Sequence, residues 1–444
     1  MIYLFALPGL IAFGAIANWI SKSPVRGLYI AFFATGILET VSLGPLREKL
    51  GLTELAIVLT WFAMLLGSNW RRERNHLTQL QKLSFIFLAA FVLAEWVSFF
   101  VNNATFYDRM IGSLVEVFNY TYGAMMVATV VLLVNDFDKL KNCLFGWMLG
   151  ALVVGLVAIW AMTGGAPSWT MDEFTGRVSS TLKFENQIPS FIIPILLPTI
   201  VLVLSRNMSS LFRIGLSLLA GLMAVTMIST GSRTAFLLLI LSFVVLFIIG
   251  FIERKNTALF KGRLGLFIII IGVSLCGYVV SVLAAFDGHY QLGKTPAWQR
   301  PVAALINGMS NNKDFDTTRE NQLKIVVDNM DQSMFIGNGP KLYGAKYRME
   351  EIHNTYAGVY FEAGLLGLGS FLLFLLFSLY SAHRSRKLTS NDFHKLIISS
   401  LVAGFFLLLL YGGTMYGLRQ RNIWLMAGLL ISLHGICIKE RQNN

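Results

Sequence analysis

The stretch TGSRTAFLLLILSFVVLFIIGFIERK, residues 230–255, decides what kind of protein this is. It carries no charge between Arg233 and Glu253, and a helix needs about 20 apolar residues to cross the hydrocarbon core of a bilayer. Residues 235–252 therefore read as a membrane span. Similar runs precede it at 2–20, 28–43, 55–70, 83–101, 114–134, 143–163, 188–204 and 211–228, and one follows at 264–285. The pattern then stops for residues 286–354 and resumes at 357–380, 396–415 and 423–438, the last being short. The expected fold is all-α and integral to the membrane, a single polytopic domain over 1–444 with 12 or 13 transmembrane helices.

Composition agrees. Of the 444 residues 55% are hydrophobic and 14% charged, against roughly a quarter charged in a soluble domain. The formal charge of +12 would suit nucleic acid, but Lys and Arg gathered in cytoplasmic loops produce the same excess. In the thirteen-span alternation, 20 of the 36 basic residues fall on one side, 8 in the short connections of the other and 8 in the long loop. The positive-inside rule then makes the loop extracytoplasmic, puts the C-terminus inside and the N-terminus outside, and leaves no need for a nucleic-acid partner. The opening MIYLFALPGL has no basic n-region or A-x-A site and reads as a retained span. Cys143, Cys276 and Cys437 stand far apart in apolar stretches, which indicates neither a disulfide framework nor a thiolate metal site.

Loop 286–354 is too long for a connector, since most loops run to about 4–6 residues. Within it, DTTRENQLKIVVDNM spaces Leu323, Val326, Val327 and Met330 for an amphipathic helix, and Thr317 with Glu320 reads as a capping box at its start. Arg319 then falls in the first turn, where free backbone N–H groups and the dipole favour an anion and a guanidinium adds bidentate phosphate recognition. The competing reading pairs Arg319 with Asp316.

His353 stands where the loop meets the next span. There an imidazole near its ordinary pKa of roughly 6.5 serves as a proton acceptor, or simply bonds backbone. Arg233 lies in a very short external connection, facing either a cavity or lipid headgroups, because Arg at a span centre costs about 2.5–3.5 kcal/mol. Two arginines and a histidine on one side suit a diphosphate and a nucleophile that must lose a proton. Arg177 and Lys183, before the seventh span, either bind a second anion or simply face water, and Asn354 and Glu362 are candidates for substrate contacts beside His353. Asp314 and Asp316 have a metal-pair spacing that helix capping also explains, so no metal or other cofactor is expected. Asp136 and Asp138 repeat the spacing on the inner side, and Glu95 is a buried acid within the fourth span.

Taken together, FENQIPSFIIPILLP opening a span, the STGSRTA turn, TTRENQL and FIGNGPKLYG in the external loop, and HNTYAGVYFEAGLLG after it resemble the bacterial O-antigen ligase and polymerase family over residues 180–380. The resemblance implies a GT-C-like membrane enzyme of the bacterial inner membrane with its site facing the periplasm. It would move a glycan from undecaprenyl diphosphate to a hydroxyl acceptor without a metal, either O-antigen to the lipid A core or a growing glycan to another lipid-linked repeat unit. By resemblance, Arg233 and Arg319 would neutralise the leaving diphosphate and His353 would deprotonate the acceptor. A thirteenth span departs from the twelve of the ligases. From another class, a secondary transporter also has about a dozen spans, with substrate held between repeats at the midplane; no repeat is visible here.

Overall fold

The structure is a computed structural model that describes residues 13–37, 51–67, 77–102, 109–172, 174–205, 208–253, 263–286, 295–308, 313–347 and 351–443. The side chains of 252, 253, 263–269, 304, 305, 307, 308, 313–319, 330, 332 and 443 lie outside the described set. Residues 13–22 are helical. They are followed by α1 (Val25–Ala34), α2 (Leu52–Leu66), α3 (Gln79–Asn102), α4 (Met110–Leu133), α5 (Phe137–Met162), α6 (Gln187–Leu204), α7 (Ser210–Ser229), α8 (Arg233–Glu253) and α9 (Arg263–Ala285). The loop contributes α10 (Arg300–Gly308), α11 (Lys313–Asp328) and α12 (Tyr343–Tyr347), and α13 (Thr355–Leu388), α14 (Asp392–Gly412) and α15 (Arg421–Asn443) close the chain.

This is an all-α integral membrane protein. Among the described residues nine helices are long and apolar enough to cross a membrane, and α1, α2 and Ile270–Ala285 of α9 are shorter apolar ones. Much of the first expected span, 2–20, falls outside the described residues, as do the ends of those expected at 28–43 and 55–70. The last span, expected at 423–438, runs from Arg421 to Asn443.

The bundle is built around α6 and α15, whose apolar windows are 94% and 83% buried, whereas the other spans show much of their surface to lipid. Lipid supplies no hydrophobic force between helices, so association rests on close packing and small residues. At Gly404 of α14 a Cβ would stand 2.6 Å from the Pro194 carbonyl of α6, and at Gly123 of α4 one would stand 2.5 Å from the Trp424 ring of α15. Phe91 of α3 packs on Phe371 of α13 with centroids 5.2 Å apart.

Side-chain contacts define two polar ends. At one, Asp136 caps α5 through Lys139 N–H at 2.7 Å, Thr78 meets His434 at 2.9 Å, and Glu440 bonds both Thr389 and His394 at 3.1 Å. Asp136, which repeats the metal-pair spacing, is thus a helix cap. At the other end, Asn102, Ser113, Asn186, residues 337–341, Asn354 and residues 413–420 meet.

The loop helix corrects the capping-box expectation. α11 begins at Lys313, so Thr317 is interior rather than N-cap and Arg319 lies in the second turn. Asp314 and Asp316 instead occupy the first turn, where the dipole favours acids.

Candidate functional site

At the second end α13 is broken. Gly364 has φ +64 and ψ −158 within the helix. The break frees backbone groups that lipid could not satisfy, and non-helical backbone at this depth survives where protein covers it. Loop 333–341 does so. Asn338 N–H donates to the Phe361 carbonyl at 2.7 Å and Gly339 N–H to that of Glu362 at 3.1 Å, while Leu365 and Leu366 N–H donate to Met334 and Phe335 carbonyls at 2.8 and 3.3 Å. Glycine is required on both sides of this seam. A Cβ at Gly364 would lie 2.5 Å from the Phe335 backbone, and one at Gly337 (φ +81) would lie 2.3 Å from the Glu362 carbonyl oxygen. FIGNGP and EAG are therefore two halves of one device. Asn102 and Ser113 fasten the loop to α3 and α4 through the Gly337 and Pro340 carbonyls at 3.2 and 2.7 Å.

The seam places Glu362, 5% exposed, at the wall of a cavity of about 530 Å³. Its Oε1 accepts from Lys341 N–H at 2.9 Å, and its Oε2 accepts from the Tyr120 and Tyr416 hydroxyls at 2.5 and 2.7 Å. The two hydroxyls also touch each other. Burial, then the nearby Glu362, pushes the Tyr416 phenol well above its usual range, so it stays a donor. Arg419 joins the cluster with Nε 2.6 Å from Glu116 Oε1 and Nη1 2.7 Å from Glu351 Oε2. Burial alone would lower the Arg419 pKa, but Glu116 and Glu351 raise it overall, which keeps the guanidinium charged. Neighbouring Arg421 pairs with Glu54 at 2.5 Å, both nearly inaccessible. Glu95 is fully buried, and neither of its carboxylate oxygens has a partner among the described residues.

His353 and Asn354 stand at the head of α13. Asn354 caps the helix by accepting from Tyr356 and Ala357 N–H at 2.9 Å, and donates through Nδ2 to the Gly413 carbonyl at 2.9 Å. Thr355 bonds the Met415 carbonyl at 2.7 Å. Buried Gln322 of α11 accepts from His353 N–H at 3.2 Å and donates to the Glu351 carbonyl at 3.1 Å. Position 319 lies one turn earlier on that helix; the Arg319 side chain is outside the described set, as are those of Asp314 and Asp316.

The STGSR turn is held from two directions. Arg177 donates through Nε to the Thr230 carbonyl at 2.6 Å and through Nη2 to Asn186 Oδ1 at 2.8 Å, and Nη1 pairs with Glu185 at 2.5 Å. Buried Arg300 lies against Gly231 and donates to the Thr175 carbonyl at 3.2 Å. Half-buried Arg233 opens α8 directly after the turn. Lys183 uses its N–H on Gln187 Oε1 at 3.2 Å and lays its ammonium 5.1 Å from the Phe184 ring centre. Tyr411 links the turn to the α13 head: its hydroxyl donates to the Asn186 carbonyl at 2.9 Å, two residues before Gly413.

Residues 218–372 match the O-Antigen ligase family. The matched segment is about a third of the chain, and it is what this protein shares with that family. No curated protein matches the chain. The match, on a chain whose described residues include nine helices able to cross a membrane, supports a membrane enzyme that handles a lipid-linked glycan. The matched segment, inside the 180–380 of the sequence resemblance, contains Arg233, Arg300, Arg319, Lys341, His353 and Glu362. Arg177, Glu116, Tyr120, Tyr416 and Arg419 lie outside it, so the polar end is built partly from the matched segment and partly from the rest of the chain.

Sequence reading passed over Arg419, Arg421, Glu116, Glu351 and Lys341. One signal existed: Arg419 and Arg421 in a short connection assigned to the outside run against the positive-inside trend, and a charge placed there against that bias needs a partner.

Proposed function

We propose that this protein transfers a glycan from undecaprenyl diphosphate to a hydroxyl acceptor at the periplasmic face of the bacterial inner membrane, ligating O-antigen to the lipid A core. The observation that carries this reading is the Gln322 clamp. It ties the backbone at His353 to α11, one turn from Arg319, at the same end of the bundle as the Arg233 turn.

His353 takes the proton of the acceptor hydroxyl as its oxygen attacks the anomeric carbon. The bond from that carbon to the diphosphate oxygen breaks, and the electron pair leaves with undecaprenyl diphosphate. Arg233 and Arg319 offset the charge that develops there, the larger contribution to the rate. The donor is already activated, so the step needs no nucleotide. Asn354 fixes the turn that aims His353, Arg177 braces the turn that presents Arg233, and Lys183 is a further anion contact on the same connection as Arg177.

Deletion of the gene followed by lipopolysaccharide gels tests the reading. A ligase mutant loses all O-antigen from the core. Retention of a single repeat identifies a polymerase instead, and an intact ladder overturns both.

A further inference from the structure

Building on that proposed function, we infer that the cavity between α4 and the head of α13 is a glycan subsite for uncharged sugar rings, separate from the arginines that take the diphosphate. Its volume of about 530 Å³ falls within the roughly 300–1,000 Å³ of small-molecule sites, room for a short oligosaccharide rather than a single ion.

Three features of the wall give the chemistry. The first is charge balance: Arg109, Lys341 and Arg419 face Glu351 and Glu362, with Glu116 on Arg419, so formal charges cancel. A diphosphate entering here would meet Arg109 and Lys341 but also two carboxylates and an arginine already engaged by Glu116 and Glu351, so the wall offers it no net positive charge. The second is the Glu362 carboxylate. A carboxylate offers about four acceptor positions, and Lys341 N–H, Tyr120 and Tyr416 occupy three, two of them on Oε2. The remaining position, on Oε1, suits a sugar hydroxyl. The third is an apolar floor: Tyr343, Phe361 and Tyr416 line the same space with only their edges exposed, enough for van der Waals contact with the C–H groups of a sugar. Ile352 also lines it, and the next residue is His353.

Gly112 gives a clean way to close the cavity. It lines the wall, and a Cβ there would meet nothing nearer than Lys341 Cδ at 3.9 Å. The test uses full-length protein in nanodiscs and measures binding of neutral outer-core oligosaccharide, of the released O-repeat glycan, of an acidic oligogalacturonide, and of undecaprenyl diphosphate without sugar. Gly112→Trp is expected to weaken one or both neutral glycans at least about tenfold, some 1.4 kcal/mol, with undecaprenyl diphosphate affinity unchanged. The neutral glycan that is lost identifies acceptor or donor as the occupant. The inference is overturned if neither neutral glycan is weakened, if the oligogalacturonide binds more tightly than both, or if undecaprenyl diphosphate is lost in parallel. Failure of undecaprenyl diphosphate to bind the wild type would instead count against the donor assignment, while the glycan measurements still decide the cavity.

Discussion

Arg421 Nε stands 2.5 Å from Glu54 Oε1, an ion pair between the start of the last span and α2 with both side chains more than nine-tenths buried. Glu54 also accepts from Gly51 N–H at 2.9 Å, and Arg421 donates to the Arg419 carbonyl at 2.7 Å. Removing one member strands a charge. Glu54→Leu or Arg421→Leu should each destabilise by about 3–5 kcal/mol, and the double substitution should recover much of that loss. Unfolding in detergent, followed as a double-mutant cycle, measures this; additive losses would show that the pair is uncoupled.

The break in α13 predicts opposite outcomes for two glycines on one helix. Gly364→Ala puts a Cβ 2.5 Å from the Phe335 backbone at positive φ, adding about 1–3 kcal/mol of strain before the clash is counted. Gly369→Ala meets nothing within 4 Å and should stabilise the helix by about 0.5–1 kcal/mol. Melting temperatures of the purified variants compare them directly.

On the proposed function, in which the imidazole acts on the acceptor, His353→Ala should abolish glycan transfer and leave binding of undecaprenyl diphosphate intact. Arg233→Ala should weaken that binding. Unchanged transfer by His353→Ala would end its assignment as base.

Gln322→Leu should lower kcat for transfer by about 10²-fold, since it releases the clamp at His353 and small misplacements of a reacting group cost that much. KM for the donor should change little. Equal loss in both constants would mean that Gln322 holds up the fold generally rather than aiming the site.

Asp172 predicts an acid-range effect. Burial pushes its carboxyl up, but hydrogen bonds from Thr175 and from Phe174 N–H, the latter at 2.9 Å, bring it below the ordinary 3.8. A depressed folded pKa contributes stability above the unfolded value that is lost as pH falls through the folded one. Asp172→Asn should therefore lower the melting temperature at neutral pH, and the difference from wild type should shrink below about pH 4. A difference independent of pH would rule the carboxylate out as its source.

Membrane class, the position of most spans and the grouping of STGSR, TTRENQL and HN on one side were legible because hydropathy and charge bias are properties of about 20 neighbouring residues. The start of α11 was misread for a local reason: capping-box chemistry at Thr317 competed with acids further upstream that also favour a first turn, and local pattern does not rank the two. Glu362 was visible as a candidate, but its setting was not. Tyr120 lies 242 residues from it, Arg419 lies 303 from Glu116 and Arg421 lies 367 from Glu54. Gly364 reads in the chain as one more small residue in an apolar run. Its positive φ follows from loop 333–341 lying against it.

The sequence by itself determined that this chain lives in a bilayer and which polar motifs face one side, because the cost of putting charge in hydrocarbon is set residue by residue. The tertiary structure decided which of those polar groups are spent on one another and which face a cavity. In a membrane, buried charge and broken helix must be satisfied by whatever the fold brings alongside, and those partners are far away in the chain.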